Sequence, residues 1–180
     1  MTTTNNQGNG DDQRHREAQQ LLLATANRLF GDLCNKRVLE AAEDGEFPVA
    51  AKDILAEHGF HRLADPDSGF ALCDVFAVLR VAGYHALPLP LAEWMLANRF
   101  LPDTGDDFAS IGKLQGTQLL SVPWGREAHR CLGVTTAGRV ASVTAADWTS
   151  DYNIAGEALD GASIVEHVPI SSSENIVELL

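Results

Sequence analysis

The feature that most constrains this chain is a change of hydrophobic period close to Pro102. Upstream, apolar residues recur at three- and four-residue steps; downstream, short β-branched segments sit between glycines. The first pattern buries one face of a helix, and the second fills pleated strands. Helices followed by strands predict an α+β architecture or two separate domains, an all-α front and a small antiparallel β back.

The spacing predicts a helix over 14–33, with Leu22, Ala26, Leu29, Phe30 and Leu33 on one face. Gly45 and Pro48 break the next segment, and a further helix over 49–58 ends at Gly59. Residues 60–69, rich in Asp, Pro, Ser and Gly, read as a connector. The most apolar helix covers 71–84, where Leu72, Val75, Phe76, Leu79 and Ala82 form a stripe widened by Cys73, Ala77, Val78 and Val81. Apolar on most sides, it belongs deep in a bundle. Pro90 opens the last helix at a position where its missing N–H costs little. Beyond the linker-like DTGDD lie QLLSV, CLGVTT, RVASVT and SIVEHV, with Ala137-Gly138 as a tight hairpin. The division expected is a disordered tail over 1–12, a helical domain over 13–103, a β domain over 104–170 and a truncated segment over 171–180.

A formal charge of −12 disfavours nucleic acid and anionic membrane as partners. No apolar run is long enough for a membrane span, and the N-terminus lacks the apolar region of a secretory signal. Cys34, Cys73 and Cys131 are far apart and odd in number, which reads as reduced cytoplasmic thiols, each a small buried hydrophobe.

Four strings carry a resemblance to the acyl-CoA dehydrogenases. ILAEHGFHRL (54–63) is similar to that family's helix and Gly turn. DVFAVLRVAGYHALPLPLAEWMLANRFL (74–101) resembles its long helix and x-Pro-x-Pro-Leu-Ala-Glu entry into the next. SVPWGREAHRCLGV (121–134) resembles a strand pair of its middle β domain, and YNIAGEALD (152–160) an Asn-Leu-Ala-Gly-Glu string of a bacterial subgroup. The resemblance covers about residues 14–170 and implies the N-terminal helical and middle β domains of a flavoprotein oxidoreductase of fatty-acid or steroid catabolism. It also implies departures. The Glu-Pro-x-x-Gly-Ser-Asp loop has no counterpart between Leu101 and Gly116, and the Trp-Ile-Thr/Ser segment aligns with Leu120-Ser121-Val122. The family's C-terminal helical bundle, which supplies the catalytic Glu, has no counterpart before the sequence ends at ENIVELL.

On this resemblance Ser121, Val122 and Trp124 are the candidate FAD contacts, through a hydroxyl, backbone N–H groups and an indole; the commoner role of such residues is as part of a packed sheet. Leu91, Trp94 and Met95, with Leu87 and Leu89, line an acyl tunnel or belong to the core. No residue is assigned as catalytic or as a metal ligand. His58 and His61 flank the helix-ending Gly59 and read as solvated or capping. Asp65, Asp67 and Ser68 read as a turn, Glu157 as a loop cap, and Glu40, Glu43, Asp44 and Glu46 as a solvated face.

Two functions follow. In the first, the chain is a flavin-poor acyl-CoA dehydrogenase subunit, inactive alone, whose partner subunit supplies the catalytic Glu for dehydrogenating an acyl-CoA substrate. In the second, it is a structural or binding subunit that kept the fold and lost flavin. An exposed apolar face, with the terminal Ile176, Val177, Leu179 and Leu180, is expected where a partner helical bundle would sit.

Overall fold

A computed structural model describes residues 7–101, 105–153 and 157–170, with side chains from residue 13 onward. Among these residues five α-helices come first: α1 (Gln7–Leu33), α2 (Lys36–Glu43), α3 (Val49–Glu57), α4 (Leu72–Tyr84) and α5 (Leu91–Phe100). Five strands follow: β1 (Ala109–Gln115), β2 (Gln118–Pro123), β3 (Arg130–Val134), β4 (Val140–Thr149) and β5 (Leu159–Pro169). The α+β order is the expected one. No described helix is long and apolar enough to cross a membrane. Residues 171–180, including the apolar end over 176–180, and the first half of the expected tail, 1–6, lie outside the described residues; the second half is helical, because α1 begins at Gln7.

The strands form a closed barrel in the order β1-β2-β5-β4-β3. The antiparallel expectation holds for four ladders; the fifth, β1 with β3, is parallel and closes the ring. β1 itself escaped the sequence reading because Gly112 interrupts its pattern. The glycine is needed there: a Cβ would stand 2.6 Å from Val122 Cγ2 inside the barrel. Gly138, at φ +74, turns β3 into β4 as expected, with Thr135 N–H bonded to Arg139 O at 2.9 Å.

Alternation sorts the strand residues between two cores. Leu119, Val122, Cys131, Ala141 and Val143 fill the barrel. Ala109, Leu132 and Val140 face outward and, with Phe108, Trp124 and Ala158 at the strand ends, join the helical core of Ala26, Phe30, Leu55, Val78, Trp94 and Met95. Helices and barrel thus share one apolar cluster. A row of rings runs through it: Trp124 on Phe47 (5.5 Å), Phe47 on Phe108 (5.1 Å), Phe108 on Trp94 (5.6 Å) and Trp94 on His61 (4.9 Å). Trp94 Nε1–H also donates to Asp107 O at 3.0 Å, tying α5 to the segment that enters β1.

Three expectations are corrected. α4 is not buried on most sides: Val75, Val78 and Ala82 face α1 and the core, while Phe76 is 62 % exposed, Leu72 41 % and Tyr84 82 %. Its second apolar face has no cover within the described residues. His61 is not solvated. The 60–69 connector folds into two short 3-10 turns that tuck Phe60, His61, Leu63 and Ala64 inside, and His61 stacks on Trp94. His58, in contrast, caps α3 as expected, its Nδ1 2.9 Å from Ile54 O. Finally, Cys73 is exposed on α4 and Cys34 half-buried; only Cys131 is buried.

Candidate functional site

The barrel wall nearest α5 carries a cleft of about 510 Å³. Ile111, Val134, Pro123 and Leu159 give it an apolar floor, and Glu93, Lys113, Ser121, Thr135 and Thr136 supply its polar groups. The floor follows from strand alternation: Ile111 and Val134 turn outward because Gly112 and Gly133 between and beside them turn inward, against Val122 and Val143. Glu93 arrives because α5 packs Leu91, Trp94 and Met95 into the core, at 2 %, 0 % and 1 % exposure, which leaves Glu93 facing the barrel wall.

Ser121 reaches the cleft through a β-bulge. Leu119 pairs with Ala162 and Val122 with Asp160, so β2 spends one more residue than β5 across this interval. Leu119 and Val122 both remain inside the barrel, and Ser121 is thrown outward at φ 53. Trp124, three residues on, also has positive φ, at 50. Two non-glycine residues in left-handed backbone at one strand end are a local strain of order 1–2 kcal/mol each, of the kind that concentrates at functional sites.

The strained segment is pinned from both sides. Ser110 Oγ–H, fully buried, donates to Pro123 O at 2.7 Å. The buried Asp160 carboxylate accepts Arg126 N–H at 3.0 Å and Arg126 Nε–H at 3.2 Å, holding the turn that follows Trp124 onto β5. Gly125 completes the fit, because a Cβ there would collide with the Trp148 ring.

Of the residues singled out from sequence, Ser121 lines the cleft. Val122 points into the barrel at 0 % exposure, and Trp124 packs edge-on against Phe47 at 9 %. Leu91, Trp94 and Met95 lie in the core behind the cleft wall, and Leu89 is buried as well. Glu157 closes the loop between β4 and β5, its N–H bonded to Asn153 Oδ1 at 3.0 Å. Sequence reasoning missed Glu93 and Lys113. The available signal for Glu93 was its place in the Pro-Leu-Ala-Glu string; Lys113 sits in the strand whose pattern the glycine hid.

A helical layer followed by a small closed β domain is an acyl-CoA dehydrogenase-like fold. Two solved structures share it. The ChsE4-ChsE5 complex from Mycobacterium tuberculosis superposes with a TM-score of 0.58 at 17 % identity, over 94 % of this chain and 56 % of that one. Nitrososynthase from Micromonospora carbonacea var. africana superposes with a TM-score of 0.50 at 15 % identity, over 85 % and 55 %. At these identities the likeness is one of fold, and this chain spans little more than half the length of either neighbour. No protein-family model and no curated protein matches the chain.

Proposed function

We propose that this chain is an acyl-CoA dehydrogenase-like subunit that takes part in FAD-dependent α,β-dehydrogenation of an acyl-CoA thioester, together with a chain that supplies the catalytic Glu. The observation that carries this reading is the bulge that throws Ser121 out of β2 into an open apolar cleft. A flavin ring system wants a flat apolar platform with a few donors at its edge. The lining meets that description: Ile111, Pro123, Val134 and Leu159 offer the platform, and Ser121 Oγ–H offers a donor at its edge.

In this reading the flavin, when bound, accepts the hydride. The chain's own residues do the positioning. Ser121 donates a hydrogen bond at a place fixed by the bulge, and the apolar floor excludes water from one side. Val122 and Trp124 fix the strand from behind, through the barrel interior and Phe47. Leu91, Trp94 and Met95 anchor α5 and so set where Glu93 stands. The cleft is open on its outer side, and the exposed Leu72, Phe76 and Tyr84 of α4 offer a separate apolar face for association. The ChsE4-ChsE5 neighbour was solved as a complex, which supports the two-chain arrangement.

The test is the visible absorbance of the purified chain, alone and co-expressed with a candidate acyl-CoA dehydrogenase-like partner subunit. Flavin absorbance that accompanies the complex is the expected result. A colourless complex would overturn the reading in favour of a structural subunit that kept the fold without the cofactor.

A further inference from the structure

We propose that Lys113, with the Thr135 and Thr136 hydroxyls, is the phosphate-recognition edge of the cleft, taking the phosphate ester or pyrophosphate of a nucleotide-bearing ligand. The inference rests on the reading above, which brings two such ligands, a flavin nucleotide and a CoA thioester, to this wall of the barrel.

The sequence has 25 acidic residues against 13 Lys and Arg, a field in which carboxylates are never far from a lysine. There are three lysines. Lys36 meets Glu40 at 3.4 Å, and Lys52 meets Asp53 at 2.6 Å. Lys113 alone of the three has a side chain with neither an ion pair nor a hydrogen bond among the described residues, and it stands exposed at the cleft. Glu93 lines the same cleft, yet the two do not meet as an ion pair. An ammonium held on a stable strand, in a cleft, with no internal partner is free to neutralise an incoming anion.

The barrel closure supplies the companions. In the parallel ladder Lys113 lies opposite Val134, one residue before Thr135. Thr135 Oγ accepts Arg139 N–H at 3.1 Å, which leaves the hydroxyl proton to donate elsewhere. Thr136 is exposed on the same hairpin. One point charge and two hydroxyl donors at the edge of an apolar floor suit a ligand with a hydrophobic body and a phosphate at one end. Lysine serves such groups as a point charge rather than as a planar fork.

The experiment measures dissociation constants of the full chain, with its partner subunit, for two matched pairs: FMN against riboflavin, and butyryl-CoA against the butyryl thioester of pantetheine. Lys113→Met is compared with wild type and with Lys36→Met, a paired surface lysine. The expected result is that Lys113→Met weakens the phosphorylated member of one pair by about tenfold, leaves its unphosphorylated counterpart within twofold, and that added salt erodes the same difference. Lys36→Met changes nothing. The pair that responds identifies whether the phosphate belongs to flavin or to CoA. Equal affinities in Lys113→Met and wild type overturn the inference, as does an equal loss for both members of a pair. Binding in which both pairs ignore Lys113 overturns this inference alone and leaves the proposed function standing. Failure of the wild type to bind any of the four ligands overturns both.

Discussion

Replacing Trp124 by alanine distinguishes a packing residue from a flavin contact. The indole is 9 % exposed and sits edge-on to Phe47 with centroids 5.5 Å apart and planes at 64°. A buried Trp hides roughly 200 Å², worth about 5 kcal/mol at 25 cal/mol per Å² as an upper bound. Measured Trp→Ala losses of about 3–5 kcal/mol place the expected cost near 3–4 kcal/mol, of which the ring pair itself accounts for about 1 kcal/mol. The backbone gives a second handle. At φ 50, alanine keeps the left-handed strain and glycine relieves it, so Trp124→Gly should be the milder change by about 1 kcal/mol, the reverse of the usual order. Urea unfolding followed by far-UV circular dichroism reads both values from midpoint shifts at constant slope. Flavin titration of the partnered complex, under conditions where each variant is folded, supplies the other axis. A stability loss below about 1 kcal/mol with a tenfold weaker flavin would refute the packing assignment and make Trp124 a cofactor residue.

Four further outcomes are expected. Gly125→Ala forces a Cβ into Trp148 and to 2.9 Å from Val122 Cβ, and should cost about 1–3 kcal/mol by thermal melting; a wild-type melting temperature would mean the Trp148 ring moves freely. Burial holds the His61 imidazole below its ordinary 6.5, with Arg62 pushing the same way and the Gly105 carbonyl, Asp106 and Asp65 opposing. The unfolded chain therefore binds the extra proton first. Stability is complete above about pH 6.5 and declines as pH falls from there toward the folded-state value; His61→Gln should flatten that slope, and an unchanged slope would remove His61 as its source. Burial raises the Cys131 thiol to about 12, whereas Cys73 is exposed, so native alkylation should mark Cys73 and reach Cys131 only in denaturant, as read by peptide mass spectrometry. Phe76→Ser, at a residue 62 % exposed, should leave the isolated chain within about 0.5 kcal/mol of wild type yet weaken association with the partner subunit in analytical ultracentrifugation; unchanged association would place the interface elsewhere.

The α+β order was legible because the two hydrophobic periods are unambiguous over their own segments, as Ala26 and Phe30 on α1 and the alternation of Cys131 with Leu132 on β3 show. What periodicity could not tell was which apolar face meets the chain itself. Leu72 and Phe76 carry the same helical spacing as Val75 and Val78, yet only the second pair is buried. Burial of His61 was invisible for a related reason: a short 3-10 turn has no repeat long enough to read, and its fate depends on Trp94 some thirty residues away. The cleft was half legible. Ser121 was found through the likeness of its strand, but its outward swing arises from a bulge that only the pairing with β5 defines. Glu93 and Lys113 come from elements distant in sequence and meet one cleft only when β1 lies down beside α5, so no local string could have joined them.

The row of rings from Trp124 through Phe47, Phe108 and Trp94 to His61 bears on how the chain loses its structure. Each ring is contributed by a different stretch of chain, and the row crosses from barrel to helices without a polar break. Neither half can therefore melt without stripping apolar surface from the other. A calorimetric scan should show one endotherm, with the calorimetric and van't Hoff enthalpies in agreement, rather than separate helical and barrel transitions. A protease cut between Leu101 and Phe108 should likewise leave a nicked complex rather than two free pieces.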